Sequence, residues 1–242
     1  MRDGMSEYVD IHCHMLSGVD DGAKDDGEMY QMLDIAYSSG TRALCLTPHF
    51  NPRYYKMNAE AAQESFEKLT KYAAEKYPDM KLLLGNELNF FFGADEYLVS
   101  GVCRTVDGGN KVLVDFNFDI SFFEIKTALY QLKSQGFVPI FAHAERYDCI
   151  KPPFSSLKEL KEAGIFIQLN ANSVTGEWGR KMQKKALKII KLGLADAVAS
   201  DGHGINDRVP RLDEAEAALT KYFDANIADR LLRRSPGRLL GI

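Results

Sequence analysis

No apolar run in this chain approaches the roughly 18 to 20 residues needed to cross a bilayer, and its first residues hold no signal-like apolar core. The expectation is a cytoplasmic protein that does not insert into membranes. Cysteine is scarce and scattered: Cys13, Cys45, Cys103 and Cys149 show no CxxC spacing, and three of them lie in or beside apolar, strand-like runs. That pattern excludes a disulfide framework or a zinc ribbon and fits reduced, mostly buried thiols. An excess of positive charge is also missing. A net charge of −4 and a pI near 5.8 argue against a general nucleic-acid binder. Linkers and low-complexity stretches are absent too, so the 242 residues read as a single domain, 1–242, with a hydrophobic content of 45% that is ample for a full core.

What is present is one phrase repeated: a helical stretch, a glycine, a short apolar strand, and then a polar residue able to bind metal. Residues 8–13 form the first strand and end in His12-Cys13-His14. Residues two apart in a strand share a face, so the two imidazoles point to the same side and Cys13 is turned away. A helix capped by Asp25-Asp26 and closed by Gly40 leads to a strand over 42–47 and then to His49. A helix over 59–77 leads to a strand over 81–85 and Glu87. The pattern loosens over 90–110, where Asp107-Gly108-Gly109-Asn110 suggests a hairpin. Strands over 112–114, 137–142, 165–169 and 195–200 then end in Asp115, in His143, in Asn170 and Asn172, and in Asp201-Gly202-His203. The last forty residues read as helix.

Seven strands alternating with helices predict a parallel sheet. All five histidines of the chain lie at predicted strand ends, joined by Glu87, Asp115 and Asp201. In a barrel those ends converge on one face, whereas an open sheet would spread them along an edge. Convergence favours the barrel. Imidazole and carboxylate together suit manganese, iron or zinc.

The series His12-Cys13-His14, Gly18-Val19-Asp20-Asp21-Gly22, Thr47-Pro48-His49, Gly85-Asn86-Glu87, Ala142-His143-Ala144-Glu145-Arg146-Tyr147, Gln168-Leu169-Asn170-Ala171-Asn172-Ser173 and Ala199-Ser200-Asp201-Gly202-His203 resembles the PHP (polymerase and histidinol phosphatase) superfamily. More narrowly, it resembles the manganese-dependent tyrosine phosphatases of capsule and exopolysaccharide operons, the CpsB/YwqE type. The resemblance runs in order from about residue 10 to residue 208. It implies a distorted (β/α)7 barrel and three divalent metal ions, manganese first among the candidates. By motif position His12, His14, Glu87 and Asp201 would hold one ion, and Asp21, His49 and His203 a second. Glu87, bridging, would hold the third with Asp115 and His143, while Arg146 and Arg208 would grip the substrate phosphate. Asp115 stands where this subgroup usually has Glu, one methylene longer. The partner implied is a phosphotyrosine protein, specifically the C-terminal tail of a bacterial tyrosine kinase that drives polysaccharide export.

Charge supports phosphate as the substrate group. Three divalent ions against the four carboxylates Asp21, Glu87, Asp115 and Asp201 leave positive charge for a phosphomonoester dianion. The expected reaction is direct hydrolysis by metal-bound hydroxide without a phosphoenzyme, and a phenolate leaving group with a pKa near 10 needs little acid assistance. The basic, aromatic loop over 51–57 is a candidate to stack the phosphotyrosine ring. Three rival readings share parts of this pattern: a PHP phosphatase acting on a small molecule such as histidinol phosphate, an amidohydrolase, and a non-catalytic metal-stabilised binding module. No strand end offers the bridging lysine usual in amidohydrolases.

Overall fold

The computed structural model describes residues 7–53 and 59–242. Nine strands occur among the described residues: β1 (Tyr8–Cys13), β2 (Thr41–Leu46), β3 (His49–Phe50), β4 (Lys81–Leu84), β5 (Glu87–Asn89), β6 (Lys111–Asp115), β7 (Val138–Phe141), β8 (Phe166–Asn170) and β9 (Ala197–Ala199). All paired strands are parallel, in the orders β1-β2-β4 and β3-β5-β6-β7-β8-β9. β3 continues the line of β2, and β5 that of β4, each after a two-residue break. Backbone bonds from Gly85 N–H to the Leu46 carbonyl (2.9 Å) and from Glu87 N–H to the Pro48 carbonyl (3.1 Å) carry the pairing across both breaks. Nine strands therefore make seven staves, as the repeated phrase in the sequence predicts.

The barrel closes between β9 and β1. Asp201 N–H donates to the His12 carbonyl (2.9 Å), and His14 N–H donates to the Gly202 carbonyl (2.8 Å). Asp10 fastens this seam from the side, its buried carboxylate accepting the Ser200 N–H at 3.0 Å. Burial raises the Asp10 pKa to about 6, although the Ser200 hydrogen bonds pull the other way. One irregularity in β1 matters for the site. Asp10 pairs with Leu44 and Cys13 with Leu46, so three steps on β1 face two on β2. That bulge lets Ile11 join the lumen core while His12 and His14, one residue out of phase with it, line the site above.

The lumen is filled by Ile11, Cys45, Leu83, Leu113, Ile140 and Ala197, and its floor is plugged by Leu239 and Leu240. Those two leucines come from the last of ten helices in the described chain: α1 (Asp26–Ser38), α2 (Ala59–Lys76), α3 (Ala94–Val99), α4 (Phe122–Ser134), α5 (Ser155–Glu162), α6 (Ala171–Thr175), α7 (Arg180–Lys191), α8 (Asp213–Tyr222), α9 (Ala225–Asp229) and α10 (Ser235–Leu240). Asp25 caps α1 by accepting the Glu28 N–H, and Ser121 with Glu124 forms a capping box on α4. Gly136 follows α4 with φ at 91°, a left-handed turn that a side chain would strain, and so releases the chain into β7. Cys13 packs outside the lumen with Met15, Leu16, Met29 and Leu33.

The hairpin expected within 90–110 does not form. Residues 94–99 are helical, and Asp107 and Gly108 turn within a 3-10 segment. β6 is already paired on both edges in parallel, to β5 and β7, which leaves no edge for an antiparallel partner. Because α10 closes the floor, Leu239→Ala should lower unfolding free energy by about 2–4 kcal/mol. A denaturant midpoint shifted at constant slope would show it.

Candidate metal centre

The upper mouth of the barrel gathers every ionisable side chain that the strand ends deliver. From β1, His12 Nε2 lies 3.3 Å from both Glu87 Oε1 and Asp201 Oδ1, and His14 Nε2 lies 3.3 Å from Glu87 Oε2. From β3, His49 reaches Glu87 Oε2 through Nδ1 (2.9 Å) and Asp21 Oδ1 through Nε2 (3.3 Å). After β7, His143 Nε2 meets Glu87 Oε1 at 2.9 Å and Asp115 Oδ1 at 3.6 Å. After β9, His203 Nε2 lies 3.5 Å from Asp21 Oδ1. Glu87 is thus the hub, touching four of the five imidazoles. All nine residues are buried except Asp21 and the half-buried His49.

Donor atoms within 4.8 Å of one another form three overlapping sets: His14, Asp21, His49 and His203; His12, His14 and Glu87; and His49, Glu87 and Asp115. The family resemblance implies one ion for each histidine. In the folded chain His14 and His49 each fall in two sets, because adjacent strand ends lie closer than separate ligand sets require. Asp201 and His143, both buried, fall in none of these sets, and Asp201 Oδ2 is already engaged by Arg208 Nη2 (2.6 Å) and Asn170 Nδ2 (2.6 Å).

The donor chemistry fits metal ions. His12 Nδ1 meets Gln168 Oε1 (3.2 Å), His14 Nδ1 meets Asp20 Oδ2 (2.7 Å), and His203 Nδ1 meets the Asp201 carbonyl (2.9 Å). An oxygen acceptor on Nδ1 fixes the proton there and turns the Nε2 lone pair into the cup, the usual way of orienting a ligating imidazole. His12 Nε2 and His14 Nε2 then face each other at 3.0 Å. Two lone pairs at that distance repel unless a cation, a proton or a metal, lies between them. Gln168, inside β8, is the supporting residue that spacing could not single out, whereas Asn170 at the strand end and Asp20 in the glycine-rich loop stand where a ligand could and instead hold the groups beside them. Asp20 also accepts the His49 N–H (2.9 Å), and Gln168 accepts the His143 N–H (2.8 Å), so each holds two sites at once.

Charge within the cup is tightly coupled. Burial disfavours the His12 imidazolium, yet Glu87 and Asp201 outweigh that and hold it up at about 9. His49 is raised for the same reason, against burial and by Glu87. Burial opposes ionisation of Glu87, but His12 and His49 keep its pKa well below the usual carboxylate range. His203 goes the other way: burial and the nearby His14, with ring centroids 3.9 Å apart, push it down to about 4. The backbone is strained at the same place. His143, Asp201 and Arg208 have φ of 32°, 51° and 49°, left-handed values uncommon for residues other than glycine.

Asp115, the shorter carboxylate, is anchored by Phe116 N–H (2.6 Å), Tyr147 Oη–H (2.7 Å) and Asn89 Nδ2 (3.0 Å). Arg208 and Arg146 flank Asp201 Oδ2 at 2.6 and 3.9 Å. The Arg146 guanidinium lies 4.3 Å from the centroid of the Phe118 ring and 4.8 Å from that of Trp178. Of the loop 51–57 named above, residues 54–57 lie outside the described residues, while the Arg53 guanidinium lies 5.5 Å from the Phe91 ring centroid.

Two outcomes follow from this geometry. Because the His12 proton must leave before Nε2 can ligate, Mn2+ titrated into metal-free protein should release protons at neutral pH. Apparent affinity should rise about tenfold per pH unit for each proton displaced between roughly pH 6.5 and 8, read by a pH dye and by calorimetry in two buffers. Gly22 sits where a Cβ would come within 1.9 Å of the His14 carbonyl oxygen. Gly22→Ala should therefore push the loop bearing Asp20 and Asp21 off the cup and weaken Mn2+ binding at least about tenfold, the loss expected when support of a ligand fails. The circular dichroism spectrum should stay that of the wild type.

Known proteins resemble this chain in sequence and fold. A family model described as "Capsular polysaccharide synthesis, CpsB/CapC" matches residues 8–241. The tyrosine-protein phosphatase YwqE of Bacillus subtilis is 29% identical over 219 residues, covering 90% of this chain and 86% of that protein. The tyrosine-protein phosphatase CpsB of Streptococcus pneumoniae is 28% identical over 237 residues, covering 96% and 98%. A crystal structure from work on YwqE and CpsB, described there as unique metal-dependent tyrosine phosphatases, superposes with a TM-score of 0.87 at 29% identity, covering 96% of this chain and 94% of that one. A dihydropyrimidinase from Brevibacillus agri shares the barrel alone, with a TM-score of 0.59 at 11% identity, covering 98% of this chain and 71% of that one. Matched over almost its whole length, the chain belongs to the CpsB/CapC family of capsular polysaccharide synthesis.

Proposed function

We propose that this chain is a metal-dependent protein-tyrosine phosphatase working as one domain, with three divalent ions, manganese foremost, held by the nine side chains of the cup. The observation that carries the reading is the union of a buried imidazole–carboxylate cluster with two guanidiniums and an exposed aromatic ring at its edge. His12, His14, Glu87 and Asp201 are assigned to one ion, Asp21, His49 and His203 to a second, and Glu87, Asp115 and His143 to the third. When bound, the ions supply Lewis-acid activation of water and neutralise phosphoryl charge.

The remaining work falls to the chain. Arg208 and Arg146 are placed to take phosphoryl oxygens, planar donors suited to a dianion. Phe118, 42% exposed, stands with its ring centroid 5.9 Å from that of His143 and offers a face for the phenyl ring of phosphotyrosine. Tyr147 donates to Asp115 from a buried position and so holds a ligand rather than protonating a leaving group. A thiol nucleophile does not fit, since burial raises the pKa of all four cysteines and keeps them protonated at neutral pH. We infer direct hydrolysis, in which a phenolate leaves without a dedicated acid.

Among the described residues no helix is long and apolar enough to cross a membrane. We assign the protein to the cytoplasm, where a phosphotyrosine protein of capsule or exopolysaccharide synthesis is its partner. The C-terminal tail of a bacterial tyrosine kinase is the specific candidate, by kinship with CpsB and YwqE. With Mn2+, kcat/KM for a phosphotyrosine peptide should exceed that for an alkyl phosphate such as histidinol phosphate by at least about tenfold. Phe118→Ala should lower the peptide value roughly threefold to tenfold, the range of one aromatic contact, and leave the alkyl value unchanged. A preference for the alkyl ester would overturn the assignment.

A further inference from the structure

Arg146 belongs to two places. On one side its guanidinium faces Asp201 in the cup; on the other it lines a groove of about 700 Å3 that runs away from the cup along α7. The groove carries six cationic side chains, Arg146, Lys151, Lys181, Lys184, Lys185 and Lys188, in a chain whose net charge is −4. Lysines at 181, 184, 185 and 188 recur at helical spacing, so one face of α7 presents them together. Two acids face them. Glu145 is fully buried and accepts the Asn170 N–H (2.9 Å), with its pKa raised by burial, and Asp148 is exposed. Lys185 is tied to the Tyr147 carbonyl (2.7 Å), whereas Lys181, Lys184 and Lys188 are solvent-exposed. Between the charges the lining is apolar, with the half-buried Met182 and Trp178 over the buried Ile150 and Phe154.

A basic rim over an apolar floor, opening from the arginine that flanks the cup, suits a polypeptide that alternates carboxylate and apolar side chains. We propose that this groove docks an acidic segment of the phosphoprotein substrate itself, adjacent in sequence to the phosphotyrosine held in the cup. The inference rests on the phosphatase reading and narrows it: substrates rich in Asp and Glu beside the phosphotyrosine are selected, by charge and through Arg146. Carboxylates settle on Lys181, Lys184 and Lys188, and an apolar side chain between them covers Trp178 and Met182.

The test uses the whole, Mn2+-loaded protein and two phosphotyrosine peptides of equal length, one flanked by Asp and Glu and one by Asn and Gln. The acidic peptide should be hydrolysed with kcat/KM higher by roughly fivefold or more, as a few exposed charge pairs provide, and the advantage should shrink as NaCl rises from about 50 to 300 mM. Lys181→Glu with Lys184→Glu should abolish the advantage while p-nitrophenyl phosphate turnover stays at the wild-type value. Equal hydrolysis of both peptides by the wild type, or an advantage that survives the double reversal, would overturn the docking site. Fluorescence anisotropy with an unphosphorylated Glu-rich peptide separates this failure from that of the phosphatase reading. Binding lost in the double variant supports the groove even if no phosphoester is cleaved, and absent binding refutes the groove even if phosphotyrosine is. Wild-type binding to phosphatidylserine vesicles that the double variant loses, with no binding of the peptide, would refute it as well.

Discussion

Five imidazoles and four carboxylates at one barrel mouth are intolerable to a protein interior unless each charge faces its opposite. Glu87 is the group on which this balance turns. Its two oxygens lie within 3.3 Å of His12, His14, His49 and His143, and its depressed pKa and the raised pKa of His12 and His49 are two aspects of one attraction. A buried carboxylate alone would take up a proton. Here it stays ionised because cations surround it, and cations of higher charge and no hydrogen-bond directionality suit the place better than protons.

Around the cup lies a polar layer that keeps the rings aimed. Asp20 ties His14 to the His49 backbone, Gln168 ties His12 to the His143 backbone, and Asn170 reaches from Gln168 to Asp201. These bonds link the staves across the mouth as well as orienting the ligands. They also explain how His143 and Asp201 persist in left-handed backbone conformations, since strain of this kind survives only where neighbours over-determine the residue. The buried, hydrogen-bonded cup contrasts with the face of α7, where Lys181, Lys184 and Lys188 are exposed to solvent. Arg146 is the residue that the cup and this face have in common.

Much of this was legible in the chain. The helix–glycine–strand phrase gave seven staves because parallel strands buried on both faces are short continuous apolar runs, and each helix end carries its own punctuation. The polar residue after each run marked the mouth, and the order of motifs marked the family. What local pattern misread is equally specific. An Asp-Gly pair at 107–108 suggested a hairpin, but both edges of β6 were claimed by distant partners. The bulge that puts Ile11 and His12 in the same lumen breaks the strict alternation on which strand reading depends. Phe118 and Trp178 flank Arg146 only through long-range packing, and neither belongs to a recognisable motif.

The sequence by itself determined which residue types arrive at the strand ends and in what order, because periodicity, caps and glycines act over a few residues. The tertiary structure alone decided how those ends crowd: that His14 and His49 each serve two donor sets, that Tyr147 and Asn89 both hold Asp115, and that a lysine-rich helix opens onto the arginine of the cup. Closure of the barrel sets those separations, and closure depends on bonds between residues as far apart in the chain as His12 and Asp201. No local pattern encodes such a distance.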